Sequence, residues 1–574
     1  MTEVTAARLL LDGLAESGIE YLFCNLGTDH VTLIEELADP PAGNRPWPRP
    51  ILCPHETVAV HMAGGYAAMT GRGQAALVHV DAGTANAAMA MHNLMRMRMP
   101  VLLMAGRAPY ASRREVPAGR DSYVHFVQDP YDIRSIVRPY TKWEYDLPHG
   151  AVAKELVARA WAAMQSDPKA PVFLTLPREV LAGRLDASRL PSYPPERFPP
   201  VAAGGADPAL IARVADALIA AERPVAFTSY LGRSARAVAA LSALAEEAGL
   251  RVVCFNAGWM NIAADHPCFA GFDPGPFVPA CDVGLMLDTD VPYVPANVQE
   301  NPATRWFQMD VDPLKRDTPL WTFPAEARIA GDTAILLEQL LASWRSRADA
   351  AARARAAARV ASFAAENTAR AARIAAAAAD PGRPDAINPA YALSRLGAAL
   401  APEDIVLNEA VRSGPAVQDQ IPRSLPLTYL GLAGGGLGFS GGMALGIKLA
   451  RPEARVVNIV GDGTFTFTSP DAVYQVAAAE GLPIFTVVLD NRGWQAVKDA
   501  TKRVHPAGAA ARTDRFLSRL DAAKERRFEE VGRAFGAHAE RVAEPPALDG
   551  AIARCLAAVD QGRSAVLTIR VAPL

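Results

Sequence analysis

The 574-residue sequence predicts an α/β fold made of three doubly wound parallel-sheet units. In the first and last parts of the chain, short apolar runs rich in Val, Ile, Leu and Phe alternate with segments of helical period, the pattern of strands crossed over by helices. Two tracts of different composition interrupt that alternation, one from Pro177 to Pro208 and one from 345 to 380. A chain of this length holds about three domains by ordinary domain size.

Taken in order, Thr5 to Ser17 has the period of an amphipathic helix, and Tyr21-Leu22-Phe23-Cys24 is a strand ending in the turn Asn25-Leu26-Gly27-Thr28. Ala75 to Val80 and Val101 to Ala105 are further buried strands. From Pro177 to Pro208, prolines, glycines and arginines crowd together as in a linker crossing a surface. A second α/β block runs from Pro208 to Trp344, with strands at Pro224 to Thr228, Arg251 to Phe255, Val283 to Leu287 and Trp306 to Asp310. The Ala/Arg-rich tract that follows reads as an exposed helix with a solvated basic face. Its only aromatic, Phe363, cannot supply a row of platforms for nucleic-acid bases. The third block begins at Pro384 and closes with a strand from Ala565 to Val571; it repeats the strand-helix grammar of the first.

Composition narrows the function classes. Half of the residues are hydrophobic and the net charge is −3, which leaves no electrostatic footprint for nucleic acid or an anionic membrane. The six cysteines lack CxxC or paired spacing, against a zinc site or a disulfide framework. The N-terminal stretch has acidic residues where a signal peptide needs a basic flank, and no run of 18 apolar residues occurs. The expectation is a soluble cytoplasmic protein.

The most informative stretch is Gly461 to Trp494. An apolar strand, Val456 to Val460, leads into Gly461-Asp462-Gly463; a helical run from Pro470 to Glu480 follows; a second apolar strand, Ile484 to Leu489, ends in Asp490-Asn491-Arg492-Gly493. In a parallel sheet both strand ends face the ligand crevice, so Asp462 and Asn491 are expected side by side. A carboxylate, an amide oxygen and the Gly493 carbonyl are hard oxygen ligands suited to Mg²⁺. A Gly-Asp-Gly followed by this spaced Asn resembles the cofactor motif of thiamine-diphosphate (ThDP) enzymes, with Asp490 in place of the first of two usual asparagines. The resemblance implies that Gly461, Gly463, Thr464, Asn491 and Gly493 bind the cofactor and that Asp462, Asn491 and Gly493 hold the metal.

A second constellation lies far upstream. Cys53-Pro54-His55-Glu56 precedes a helix of small residues, and a glutamate at the start of a tightly packed helix is costly unless something uses it. The segment resembles the catalytic glutamate region of the acetolactate synthase and benzoylformate decarboxylase group. By that resemblance Glu56 acts on N1′ of the aminopyrimidine. The run from Leu77 to Asn86 is similar to the His-x-x-x-Gly-Thr-x-Asn segment of benzoylformate decarboxylase, placing His79 at a strand end beside the reacting carbon. Thr28 falls where a serine of that enzyme touches the substrate carboxylate.

Gly436 to Gly441 also matches the GxGxxG pattern of dinucleotide folds, but Pro452-Glu453-Ala454 stands where the acidic strand end is expected. The loop instead resembles the glycine loop of ThDP enzymes. Leu437 then wedges the cofactor and the Gly435 carbonyl accepts from its amino group.

The resemblance covers the whole chain. It implies a pyrimidine-binding domain at 1–185, a central domain at 190–345 and a diphosphate-binding domain at 384–574. It also implies a homodimer or homotetramer with active sites between subunits. The implied reaction is Mg²⁺- and ThDP-dependent decarboxylation of a 2-oxo acid, completed by protonation or by carboligation to an aldehyde or ketone acceptor. Acetolactate synthase-type acetohydroxy acid formation is one alternative, and a non-catalytic ThDP-binding paralogue another. His266 is a candidate second histidine only by its place in the central block, flavin is not expected there, and Ala507 to Leu520 is a candidate flap.

Overall fold

A computed structural model describes residues 3–40, 46–431, 434–518 and 526–573. Its framework is three six-stranded sheets, each parallel throughout. The strands are continuous apolar runs because helices cover both faces. The first sheet spans Tyr21 to Pro177, the central one Pro224 to Ala330, and the third Ile405 to Arg570. Numbered by order within each sheet, the first and third share the arrangement 2-1-3-4-6-5, while the central sheet is 3-2-1-4-5-6.

That shared order locates the functional ends. Ligands of open α/β sheets bind outside the carboxyl ends of strands at the point where strand order reverses. In the first sheet this point lies between Tyr21–Cys24 and Gln74–Val78; in the third it lies between Ile405–Glu409 and Val456–Gly461. The residues emerging there are Asn25 to His30 and His79 in the first sheet, and Glu409 to Val411 and Asp462 in the third.

Several predicted elements coincide with observed ones: Tyr21–Cys24, Pro224–Thr228, Val283–Leu287 and the helix Pro470–Glu480. Others move. The strand expected to reach Val80 stops at Val78, and a helix, Val80–Met97, begins immediately after His79. The strand expected over Arg251 to Phe255 ends at Val253. The supposed linker is folded at its start: Pro177 closes a strand of the first sheet, Arg178–Ala182 is helical, and Arg184–Asp186 pairs antiparallel with Glu3–Thr5. The Ala/Arg tract is a helix, Ala350–Ala377, burying only Ala352, Ala356 and Phe363. Its arginines are not all solvated, because Arg359 donates to the carbonyls of Ala221, Ala248 and Gly249.

The first and third sheets are joined by two helices in near-backbone contact, Glu56–Thr70 and Ser440–Ala450. Every residue from Glu56 to Met69 is buried. A Cβ at Gly446 would stand 2.0 Å from the Met62 carbonyl oxygen, one at Gly65 2.2 Å from the Met443 carbonyl oxygen, and one at Gly442 2.9 Å from that of Val58. Small residues are therefore required on both helices. The contacts of Gly442 with Val58 and of Gly446 with Met62 rise together in number, so the helices run parallel and their N-termini share one end.

Candidate active site

At the switch point of the first sheet, three elements converge on one carboxylate. Asp29, 2% exposed, sits in the turn after Tyr21–Cys24. Its Oδ1 lies 2.6 Å from His79 Nδ1, its Oδ2 lies 3.2 Å from His30 Nε2, and Oδ2 also accepts from the Val80 amide at 3.3 Å. His30 in turn accepts from the Gly27 amide through Nδ1 at 3.0 Å. The space is reserved by glycine: a Cβ at Gly106 would fall 1.5 Å from Asp29 Oδ2, and one at Gly27 would fall 2.1 Å from His79 Nδ1. Val80 takes φ +27°, a strained value for a β-branched residue, and strain of this kind collects where local geometry serves a site.

The electrostatics follow from the geometry. The hydrogen bond to Asp29 raises the His79 imidazole above its ordinary value, against the opposing effect of burial. Burial pushes Asp29 up, but the His79 hydrogen bond and the charges of both histidines bring it below the usual carboxylate range. Burial lowers His30, against the attraction of the Asp29 charge. With Nδ1 committed to Asp29, His79 presents Nε2 for proton transfer. Thr28 is exposed beside this group.

The helix Val80–Met97 lays out the rest of the first half. Asn86 Nδ2 donates to Glu56 Oε2 at 3.0 Å, and Thr57 Oγ1 donates to the Asn86 carbonyl at 2.9 Å. Glu56 is 8% exposed, and Oε1 takes no protein donor among the described residues. Asn86 and Asn93 are spaced by seven residues and share one face of this helix, whose N-cap is His79. Asn93 reaches the glycine loop of the third sheet: its Nδ2 donates to the Gly436 carbonyl at 2.8 Å, and its Oδ1 accepts from the Gly436 amide at 3.1 Å.

In the third sheet, Glu409 is 1% exposed at the end of its strand. Its carboxylate accepts from the Phe439 amide at 3.2 Å, from the Ser440 amide at 3.1 Å and Ser440 Oγ at 2.5 Å, and from the Gly438 amide at 2.5 Å. Burial raises Glu409 to about 7 although these donors oppose the shift. The helix N-terminus that a dinucleotide fold gives to a pyrophosphate is here filled by the chain's own carboxylate. Gly435 and Gly438 take φ +78° and +98°, which arches the loop and leaves Gly435 exposed and Leu437 half-buried.

Beyond the next strand, Asp462 is 3% exposed and opens the helix Asp462–Phe467. Register pairs Gly461 with Leu489, so Asp462 lies beside Asp490. Arg526 Nη2 joins them, 2.6 Å from Asp462 Oδ2 and 3.2 Å from Asp490 Oδ1, and Arg570 holds the other Asp490 oxygen at 2.8 Å. Asn491, one position farther, accepts from the Gly493 amide at 3.2 Å. Thr464 Oγ1 donates to the Gly461 carbonyl at 2.9 Å, and Trp494 packs over Gly463.

The structure thus gathers Thr28 with His79, ties Glu56 to Asn86 on the helix that His79 caps, and collects Gly461, Asp462, Gly463, Thr464, Asn491 and Gly493 at one end of the third sheet. Asp29, His30, Asn93, Glu409 and Arg526 belong to these groups but escaped sequence reasoning. Only Glu409 carried a local signal, an acid closing an apolar strand as Asp462 does. His266 lies apart, its Nδ1 accepting from the Cys268 amide at 3.1 Å. Of the candidate flap, residues 519 and 520 lie outside the described residues, and Ala509–Thr513 is a short helix. A cavity of about 1110 Å³ adjoins Glu409 between the central and third sheets, lined by apolar residues such as Phe255, Phe277 and Val411 and by charged ones such as Arg251, Arg370 and Glu366.

Comparison with known proteins decides the family. The N-terminal TPP binding domain of thiamine pyrophosphate enzymes matches residues 4–135, and the C-terminal TPP binding domain matches residues 416–569. The chain belongs to the thiamine pyrophosphate enzymes. A probable 2-ketoarginine decarboxylase of Pseudomonas aeruginosa is 26% identical, over 95% of this chain and 90% of the relative. The benzoylformate decarboxylase of the same organism is 24% identical over 95% of each chain. In fold, the thiamine diphosphate-dependent 4-hydroxybenzoylformate decarboxylase of Rhodococcus jostii superposes with a TM-score of 0.77 at 19% identity, covering 99% of both chains.

The residues present suit such a thiamine pyrophosphate enzyme. Asp462 and Asp490 are two buried carboxylates side by side, which persist only with cationic compensation, supplied here by Arg526 and Arg570. Among the described residues, apart from its chain neighbours, no heavy atom lies within 4 Å of where a Gly435 side chain would begin.

Proposed function

We propose that the chain catalyses ThDP- and Mg²⁺-dependent cleavage of a 2-oxo acid between its carboxylate and carbonyl carbon, followed by protonation or by bond formation to a second carbonyl. The observation that carries this reading is the placement of His79 with Asp29, and of Asp462 with the glycine loop, at the switch points of two sheets with the same strand order. Asp462, Asn491 and the Gly493 carbonyl would hold Mg²⁺ as hard oxygen ligands. Gly461, Gly463 and Thr464 would line the diphosphate, with Leu437 and Gly435 against the rings. ThDP, when bound, supplies the electron sink for loss of CO₂.

The chain's own residues supply proton traffic and orientation. Asn86 fixes one oxygen of Glu56 and leaves the other for the aminopyrimidine. Asp29 orients His79 and favours its protonated form, so Nε2 can donate a proton to product and recover one from solvent. Thr28 would receive the substrate carboxylate at the turn. The cavity beside Glu409 offers room for a donor larger than pyruvate, and its walls join apolar residues to charged ones, Arg251, Arg370 and Glu366 among them.

A homodimer, or a homotetramer built from it, is part of the proposal. Asn93 lies thirteen residues along the helix from Val80, the residue after His79, about 20 Å at 1.5 Å per residue, and Asn93 grips the glycine loop of its own chain. That loop is too distant to bracket a reacting atom within reach of the same chain's His79, so each centre takes its loop from a second copy. Tyr123, Phe126, Val127 and Tyr131 are exposed near His79, and Phe467, Val497 and Leu517 on the third unit, as apolar surface suited to covering. Among the described residues no helix is long and apolar enough to cross a membrane, and a cytoplasmic location is proposed. The test is CO₂ release from a panel of aliphatic and aromatic 2-oxo acids with ThDP and Mg²⁺. Turnover that needs both additions supports the reading; tight ThDP binding without turnover on any donor would favour a non-catalytic paralogue.

A further inference from the structure

We propose that Asn93 is a positioning residue that sets the conformation of the Gly434–Gly438 loop and thereby the affinity for the aminopyrimidine end of ThDP; this rests on the cofactor reading above. Asn93 is 1% exposed and spends its whole amide on the loop and its support. Its oxygen accepts from the Gly436 amide, and its nitrogen donates to the Gly436 carbonyl and faces His61 Nε2 at 3.3 Å and Met89 Sδ at 3.2 Å. A side-chain amide that satisfies both backbone groups of one residue fixes the two peptide planes that meet there as a neighbouring strand would, and a buried amide cannot abandon such partners cheaply.

The loop is shaped to receive it. A Cβ at Gly436 would stand 2.5 Å from Asn93 Oδ1, and one at Gly434 3.0 Å from the same oxygen. Gly436 is therefore demanded by Asn93, while Gly434 is crowded by Asn93, Arg96 and His92 together. Gly435 and Leu437, the residues assigned to the cofactor, flank the gripped Gly436 on either side. His61, fully buried, is held neutral with its value lowered to about 3 by burial, so its Nε2 is free to act as an acceptor toward the amide and steady its orientation. Because Asn93 lies about 20 Å along the helix from the end that His79 caps, the clamp acts on the centre that receives this loop. The His79 and Glu56 of its own chain serve the other centre.

The test uses the full-length protein and four variants: Asn93→Ala, Asn93→Asp, Gly436→Ala and the Asn93→Ala/Gly436→Ala double. Amide hydrogen exchange over residues 434–440 is followed without cofactor, and ThDP affinity is measured with Mg²⁺ through tryptophan fluorescence. Asn93→Ala is expected to speed exchange of the Gly436 and Gly438 amides and to weaken ThDP at least tenfold while the thermal midpoint of the cofactor-free protein moves little. Asn93→Asp keeps the shape but sets a carboxylate oxygen against the Gly436 carbonyl, and should bind ThDP as poorly as Asn93→Ala; a role in packing alone would leave it like wild type. Gly436→Ala should weaken ThDP by itself, yet cost nothing further in the double variant, where the oxygen it strikes is gone. Wild-type exchange and affinity in Asn93→Ala, or losses that multiply in the double variant, would overturn the proposal. Should the wild-type protein bind no ThDP, the cofactor reading fails, and the exchange rates still decide whether Asn93 holds the loop.

Discussion

Replacing Asp29 by Asn removes one charge from the first half-site without changing its shape. The 2.6 Å contact between Asp29 and His79 Nδ1 is a charge-assisted hydrogen bond, worth about 1.5–3 kcal/mol against about 0.5–1.5 kcal/mol for a neutral one. An amide oxygen can still accept from Nδ1, so the loss is the difference, roughly 1–1.5 kcal/mol, or about one pK unit on the imidazole. NMR titration of the His79 ring should show its midpoint falling by about that amount, and the alkaline limb of kcat should move to lower pH with it. The sign for stability follows from the two shifts. His79 is raised above 6.5 and Asp29 lowered below 3.8, so the pair's contribution is complete between those values. It fades as pH rises through the His79 midpoint or falls through that of Asp29. The variant should lose unfolding free energy within that window and converge on wild type outside it. An unchanged or elevated His79 midpoint in Asp29→Asn would refute the role given to the carboxylate.

The other expectations follow from close contacts. Gly106→Ala places a methyl on Asp29 Oδ2 and forces that carboxylate away, so the imidazole midpoint should fall at least as far as in Asp29→Asn by the same titration. Gly446→Ala meets backbone atoms of Met62 and Tyr66 that cannot rotate away, and should cost about 3 kcal/mol or more in urea unfolding. Gly64→Ala, which meets only the side-chain ends of Leu94 and Met443, should cost clearly less, and equal losses would contradict the close backbone contact of the two helices. Arg526→Gln removes the cation shared by Asp462 and Asp490, and calorimetry should show Mg²⁺ binding strengthened roughly tenfold, the loss of one charge-assisted partner; weaker binding would mean that Arg526 supports the metal and does not compete with it.

Much of the fold was legible because buried parallel strands are uninterrupted apolar runs punctuated by turn residues. Pro224–Thr228 and Val283–Leu287 begin and end where that pattern does. The boundary at His79 was not legible: Val78, His79 and Val80 continue a strand pattern, and the turn into a helix depends on Asp29, which lies fifty positions away and accepts from the Val80 amide. The stretch after Pro177 looked like a linker because its short strand is stabilised only by pairing with Glu3–Thr5. Local motifs exposed Glu56 and Asp462, whereas Asn93 is linked to Gly436 across 343 positions and Arg526 to Asp462 across 64, distances at which a single sequence carries no trace of the contact.

The central claim is that each centre joins the Glu56 half of one chain to the Asp462 half of another. It is tested most directly by co-expressing Glu56→Gln and Asp462→Ala chains with different affinity tags and assaying the purified heterodimer. One of its two centres would then combine an intact Glu56 with an intact Asp462, and activity should return to about half that of wild type although each variant alone is inactive. A heterodimer as inactive as its parents would show that both halves come from a single chain.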